Sequence, residues 1–354
     1  MSLYKTDAAT NTRKGEELDI EKLNTYLKTN APQVSVVKEV TQFAGGFSNL
    51  TYCLKTADKE FVLRRPPFGA NIKSAHDMGR EFKVLSLLKN YYTKIPAPVI
   101  YCEDTSVMDA PFYIMERIQG VILRASNAHK MQLPTDILKA SSEALVDNLV
   151  TLHALDIETT GLIQLGKPEG YVQRQIEGWI KRYYASETDK IESLDNIAAW
   201  LKDHIPAEQK AAFIHNDYKY DNVVLNPDNL ADITGVLDWE MATVGDPLMD
   251  LGGTLAYWSE AGDIDEIKFF NLTWLPGNLT RQEVINLYGE KSGRDVSNIL
   301  FYYIFGLYKN AVIAQQIYAR WKQGHTKDPR FGALLPIIKG LGSKAISALN
   351  AGKV

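Results

Sequence analysis

The sequence predicts an α+β protein of two lobes, residues 1–118 and 119–354, and three observations carry that expectation. At 354 residues the chain exceeds the size at which a single core keeps growing. From Val34 to Ile118 the residues form β-branched and aromatic runs broken by turn compositions and by one helical pattern. Beyond Gln119-Gly120 helical periodicity takes over, with a single hairpin embedded in it. Small sheets with one packed helix, followed by a helical region, belong to the α+β class.

In chain order, the segment 16–29 spaces Leu18, Ile20, Leu23 and Leu27 as a short amphipathic helix. VSVVKEVTQF, LTYCLKT and EFVLRR then read as an antiparallel meander, because AGGFSN and ADKE between them are turn compositions. HDMGREFKVLSLLKNYY is helical, and VIYCED and PFYIMERI are strands. Helices follow in LKASSEALVDNLVTLHAL, in VQRQIEGWIKRYYAS, after Pro247 and from Asn298 to about Lys322. NVVLN and ITGVLDW, separated by PDN, form the hairpin. A cleft between the lobes is expected to be lined by this hairpin and by the glycine turn at 44–49.

Composition narrows the function. A content of 45% hydrophobic and 23% charged residues suits a globular protein. A net charge of −4, from 39 basic and 43 acidic residues, creates no field that would attract nucleic acid or an anionic membrane. The N-terminus is polar where a signal peptide needs an apolar core, and no window approaches the ~18 apolar residues of a membrane span. Cys53 and Cys102 are too few for a disulfide framework and lack metal-ligand spacing, so they read as packing residues of a cytoplasmic protein.

The chemistry concentrates in FIHNDYKYDNVVLNPDNLADITGVLDWEMATVGDPLMDLG, residues 213–252. Asn226, Asp228 and Asn229 are ordinary turn residues. In GDPLMD, Asp246 fits an N-cap with Pro247 at the first helical position, and both Asp246 and Asp250 read as structural. Asp217, Asn222 and Asp238 are different. Asn222 precedes the first hairpin strand and Asp238 ends the second, which places them at one end of an antiparallel pair. Hard oxygens of this kind suit Mg²⁺, which is bound through one or two carboxylates together with substrate phosphates. Asp217 is then free to accept a proton.

HNDYKYDN resembles the H-x-D-x-x-x-x-N catalytic loop of the kinase fold, and LDWE occupies the place of its D-F-G metal motif, in the form seen in the aminoglycoside phosphotransferase and choline kinase family. FAGGFSNLTY is similar to that family's phosphate-covering loop, FVLRR to its third strand, GREFKVLSLL to its first-lobe helix, FYIMERIQG to its hinge and LHALD to the helix before the catalytic loop. The set looks most like the branch that contains the kinase domain fused to certain acyl-CoA dehydrogenases, over roughly residues 34–325.

This resemblance implies a bilobal protein-kinase-like fold and an ATP- and Mg²⁺-dependent small-molecule kinase. Asp217 is implied as catalytic base, Lys219 as a contact to the transferred phosphoryl, and Asn222 and Asp238 as metal ligands. For the nucleotide, the implied residues are Gly45, Gly46, Phe47, Ser48 and Asn49 of the loop, Arg64 with its partner Glu81, and hinge backbone from Glu116 to Ile118. His215 is expected to brace the catalytic loop. Arg64 stands where many kinases carry lysine; it supplies a planar fork rather than a point charge. Which of Arg64 and Arg65 points into the cleft depends on strand register, and Arg64 is the expected one. The loop is not G-x-G-x-x-G, but adjacent glycines permit close backbone approach to phosphate.

For the acceptor, GYVQRQIEGWIKRYY brings Arg174, Lys181 and Arg182 toward one helix face beside Trp179, which suits an anionic substrate; combined with the resemblance to the dehydrogenase-fused branch, this implies a hydroxyacyl-CoA or another anionic metabolite. An ordinary solvated amphipathic helix reads equally well from the same residues. The alternatives are an aminoglycoside, amino-alcohol or sugar kinase, and a nucleotide-binding pseudokinase without catalysis. A protein kinase is disfavoured, since GDPLMDLG follows Asp238 too closely for an activation segment.

Overall fold

The computed structural model describes residues 3–43, 49–68, 77–268, 271–326 and 328–354, with the side chain of His129 left aside. Helix α1 (Ile20–Asn30) starts where the Asp19 carboxylate accepts the Lys22 N–H at 3.0 Å, a cap that satisfies an otherwise orphaned donor. Strands β1 (Glu39–Gln42), β2 (Leu50–Lys55), β3 (Glu60–Arg65), β4 (Pro98–Cys102) and β5 (Phe112–Glu116) form one antiparallel sheet in the order β1-β2-β3-β5-β4. Helix α2 (Met78–Leu88) is capped by Asp77, and the single turn α3 (Thr105–Met108) joins β4 to β5.

The remaining helices are α4 (Ala125–Met131), α5 (Thr135–His153), α6 (Tyr171–Ser186), α7 (Glu192–Asp203), α8 (Pro247–Tyr257), α9 (Asp265–Lys268), α10 (Arg281–Ser292), α11 (Ile299–Lys322) and α12 (Leu334–Ala351). Two small sheets lie among them: β6 (Ala212–Ile214) pairs with β9 (Thr243–Gly245), and β7 (Val223–Asn226) with β8 (Asn229–Val236).

The chain divides into two compact units, but not at one point in the sequence. Residues 1–122 join 224–229 and 233–242 in the first unit; 123–223, 230–232 and 243–354 make the second. The expected cut at 118/119 therefore gives way to a discontinuous division. The hairpin strands return to the first unit because backbone bonds hold them there: Val121 and Leu225 exchange two at 2.8 Å, and Val236 N–H donates to the Lys94 carbonyl at 2.8 Å.

In the first unit, period-2 alternation sorts β3. Phe61 and Leu63 join Tyr52, Leu54, Phe112 and Ile114 in a core with Leu23 and Leu27 of α1, whereas Arg64 lies on the other face, opposite Tyr113 in register. Helix α2 buries Met78, Glu81, Val84, Leu85 and Leu88.

The second unit is built around α11, which is buried along most of its length. Gly252 of α8 and Gly306 of α11 let those two helices approach closely: a Cβ at Gly306 would stand 2.5 Å from the Gly252 carbonyl oxygen. One apolar segment, Pro329–Ala351, is long enough to cross a membrane by length and composition, which corrects the sequence-based expectation that no window comes near. In the structure α12 packs on α7 and α11 and buries Ile338, Leu341, Ala345 and Ala348.

Candidate active site

In the second unit the chain leaves β6 into the loop His215-Asn216-Asp217. Asn216 takes a left-handed conformation, φ 66°, which asparagine tolerates better than most residues. Asp250 of α8 holds this bend from beneath: its carboxylate accepts the His215 N–H at 2.6 Å and the Asn216 N–H at 2.8 Å. His153 Nε2 lies 3.2 Å from the same carboxylate, with Nδ1 2.7 Å from the Tyr288 hydroxyl. Burial pushes the Asp250 carboxyl up, but the His153 bond and the neighbouring imidazoles outweigh it and hold it below the ordinary aspartate range. Asp246, as its position suggested, caps α8 by accepting Leu248 N–H at 2.8 Å.

The Asp217 side chain projects from the braced loop. Its backbone N–H donates to His215 Nδ1 at 3.2 Å, so the fully buried His215 ring does brace the loop. Lys219 Nζ spans both carboxylate oxygens at 2.9 and 2.8 Å, and Asn222 Nδ2 donates to Asp217 Oδ2 at 2.9 Å and to its carbonyl at 2.8 Å. Burial would raise the Asp217 carboxyl, yet Lys219, Lys309 and His215 together hold it below its ordinary value. It is therefore an anion at neutral pH, able to accept a proton. For Lys219 burial opposes the charge, while the Tyr257 hydroxyl and Asp217 hold the ammonium well above the usual lysine range. Its Nζ stands 4.3 Å from the Tyr257 ring centroid.

Lys309, which sequence reading passed over, reaches the same loop from α11. It is 7% exposed, donates to the Asn216 carbonyl at 2.6 Å and lies 5.8 Å from the centroid of the Trp179 ring. The Arg182 guanidinium stacks on that ring as well, at 4.8 Å. Of the other two cations expected on α6, Lys181 is exposed, and Arg174 turns its guanidinium back onto the carbonyls of Lys167 and Glu169 before the helix.

In the first unit Arg64 meets Glu81 in a buried ion pair, as parity along β3 requires. Its guanidinium also donates to Asp238 Oδ1 at 3.1 and 3.2 Å, and Glu240 lies 3.7 Å away. Burial works against the Arg64 charge, but these carboxylates hold it above the normal arginine range. Glu81 is 1% exposed and also accepts the Trp239 N–H at 3.2 Å. Arg65 points to the opposite face and stacks on Phe68 at 3.8 Å. Asn49 donates to Glu240 at 2.8 Å. Gly45, Gly46, Phe47 and Ser48 lie outside the described residues. At the end of β5, the exposed Glu116 pairs with Lys59 at 3.1 Å and its N–H is taken by the Ala97 carbonyl, while the Ile118 amide donates to no backbone carbonyl among the described residues.

Two oxygens are suited to a hard cation. Asn222 uses only its amide N–H groups, which leaves Oδ1 without a hydrogen-bond donor among the described residues. Asp238 presents only Oδ1 to Arg64, and its side chain is 34% exposed. Each, taken in its own unit, is a hard oxygen of the kind that Mg²⁺ accepts beside waters and phosphate oxygens. Among the described residues no group of three or more His, Cys, Asp or Glu side chains could hold a metal without such help.

A five-stranded antiparallel sheet with its buried Arg–Glu pair, and a helical unit that presents an aspartate through a braced loop, define the kinase-like phosphotransferase fold. The chain belongs to the phosphotransferase enzyme family abbreviated APH, whose pattern matches residues 39–283. Among curated proteins, mouse acyl-CoA dehydrogenase family member 10 is 33% identical over 286 residues, 80% of this chain and 26% of that protein. Rat acyl-CoA dehydrogenase family member 11 is 32% identical over 317 residues, 87% of this chain and 40% of its own. The chain thus spans less than half the length of these relatives. Among solved structures, a provisionally assigned aminoglycoside phosphotransferase from Ralstonia eutropha matches with a TM-score of 0.78 and 28% identity, over 94% of this chain and 99% of that one. The expected fold class and the resemblance to the dehydrogenase-fused branch are both met.

Proposed function

We propose that the protein transfers the γ-phosphoryl group of ATP to a hydroxyl of a small anionic metabolite, with a hydroxyacyl-CoA as the candidate class. The observation that carries the transfer chemistry is the Asp217 carboxylate, anionic and gripped by Lys219 and Asn222. Phosphoryl transfer asks little covalent work of a protein; it is won by alignment and by charge placed where charge develops. Asp217 orients the acceptor hydroxyl and takes its proton as the new P–O bond forms and the bond to the leaving ADP breaks. Lys219 supplies positive charge for the phosphoryl in flight, and Arg64, fixed by Glu81, supplies it for the nucleotide phosphates.

Asn222 and Asp238 are the proposed holders of Mg²⁺, which when bound would neutralise phosphate charge. The hinge backbone at Glu116 to Ile118 is the proposed seat of the purine. The acceptor class rests on the cations near Trp179 and on the kinship with proteins named as acyl-CoA dehydrogenase family members. The site is proposed to act in an aqueous compartment, without nucleic acid or membrane as partner.

The test is phosphate transfer from Mg²⁺-ATP to a panel of hydroxyacyl-CoAs, aminoglycosides, choline-like alcohols and sugars. Asp217→Asn should abolish turnover and leave Mg²⁺-nucleotide binding intact, whereas Asp238→Ala should weaken that binding too. Equal loss of nucleotide affinity in both would contradict these roles, and nucleotide binding without any Asp217-dependent transfer or hydrolysis would indicate a pseudokinase.

A further inference from the structure

Buried ammonium groups are costly unless their donors are satisfied and their charge is matched. Lys309 is 7% exposed, within a stretch of α11 that is otherwise apolar and aromatic. Of its three donors one is used, on the Asn216 carbonyl, and it forms no ion pair with a carboxylate among the described residues. The nearest acidic groups are already engaged: Asp217 is spanned by Lys219, and Asp250 by two backbone N–H groups and His153. The ammonium faces Trp179, whose ring also carries Arg182. A cation with two spare donors is thus held one residue from the proposed base, beside an aromatic surface.

We infer that Lys309 is the residue that recognises the acceptor, by donating to an acyl oxygen, either a carboxylate or a thioester carbonyl, that lies a few bonds from the hydroxyl being phosphorylated. This rests on the transfer reading above and deepens it. Asn216 fixes the ammonium next to Asp217, so the two groups grip the acceptor at two points, oxygen and hydroxyl. Two-point binding of this kind supplies orientation as well as affinity. The spare donors then cost little in the complex, because the acceptor satisfies them.

The experiment compares 3-hydroxybutyrate and its CoA thioester with 1,3-butanediol, which has the same chain and no acyl oxygen, in the wild type, Lys309→Met and Lys309→Arg. Turnover is measured with Mg²⁺-ATP, and binding of each compound by calorimetry with Mg²⁺-ADP present. The wild type should favour at least one acyl compound over the diol by tenfold or more in kcat/KM, chiefly through KM, and the better of the two identifies the oxygen. Lys309→Met should erase the preference with the KM for ATP within about twofold, and Lys309→Arg should restore part of it. A role confined to bracing Asn216 would instead lower kcat alike for all three compounds. The inference is overturned if the preference survives in Lys309→Met, or if neither acyl compound binds the wild type more tightly than Lys309→Met. Lys309-dependent binding without Asp217-dependent transfer would sink the kinase reading and leave only Lys309 as a group that binds the acyl oxygen, whereas Asp217-dependent transfer with no Lys309-dependent preference would sink this inference alone.

Discussion

Asp250→Asn removes one charge and one acceptor from beneath the catalytic loop while keeping the shape of the side chain. In the native protein the carboxylate takes two backbone N–H bonds, at 2.6 and 2.8 Å, with His153 at 3.2 Å. A bond to a charged group contributes about 1.5–3 kcal/mol, and a neutral one about 1. The amide can keep one of the two N–H partners, now as a neutral bond, and must turn its NH₂ toward the other. Losing one charged bond and weakening the second gives a cost of about 3–4 kcal/mol. At roughly 2 cal/mol/K of unfolding entropy per residue, 354 residues convert this to a fall in Tm of about 5 °C. A shift of about 1 Å in Asp217 would cost about 10²-fold in turnover.

The assay pairs a thermal melt with kcat for the best acceptor, corrected for the folded fraction. The pH dependence follows from the depressed carboxyl. Its contribution is complete above the ordinary aspartate range and is lost as pH falls through the lower native value, so the gap between variant and wild type should close in acid. A variant with native Tm and native kcat at pH 7 would refute the reading of Asp250 as the brace of the loop.

Further outcomes follow from other contacts. Because Lys219 helps hold Asp217 below its usual range, the acid limb of kcat/KM should move to higher pH in Lys219→Met, as read from a profile between about pH 4 and 8; an unmoved limb would separate that limb from Asp217. Gly306→Ala drives a methyl to within 2.5 Å of the Gly252 carbonyl oxygen, a backbone atom with little room to yield, and should cost about 1–3 kcal/mol in urea unfolding, whereas Gly253→Ala, with open space around it, should cost nothing measurable. Glu81→Gln removes the charge that faces Arg64 across their buried pair and should raise the KM for ATP more than that for the acceptor; the reverse order would displace the pair from the nucleotide.

The elements most legible in the sequence are those whose pattern and chemistry coincide. Strand β3 could be assigned from its apolar run, and alternation along a two-faced strand leaves only one of Arg64 and Arg65 on the face of α2, but it is the packing of Phe61 and Leu63 into the core on the other face that selects Arg64. Asp246 was legible because an N-cap followed by proline is a local signature, and His215 because the resemblance of HNDYKYDN to a catalytic loop placed it there. Lys309 was not: α11 is buried nearly all round, so periodicity marks no special face, and the signal was only a lone charge inside a long apolar run. Asp250 was read as structural, and besides His153 its partners are indeed backbone N–H groups, but that they belong to the loop carrying Asp217 depends on how α8 meets residues 35 positions earlier. Arg174 shows the opposite failure: helical spacing put it with Lys181 and Arg182, and a short-range bond to the preceding turn drew its charge away.

The discontinuous first unit has a consequence for synthesis. Its sheet is made by residue 116, yet Trp239, whose N–H meets Glu81, and Val236, which bonds Lys94, emerge 120 or so residues later. At about 5–20 residues per second the nascent sheet waits on the order of 6–24 s for the segment that closes it. Throughout that interval the Arg64–Glu81 pair lacks its Asp238 partner, and a buried charged cluster of the finished protein stands incomplete in the newborn chain.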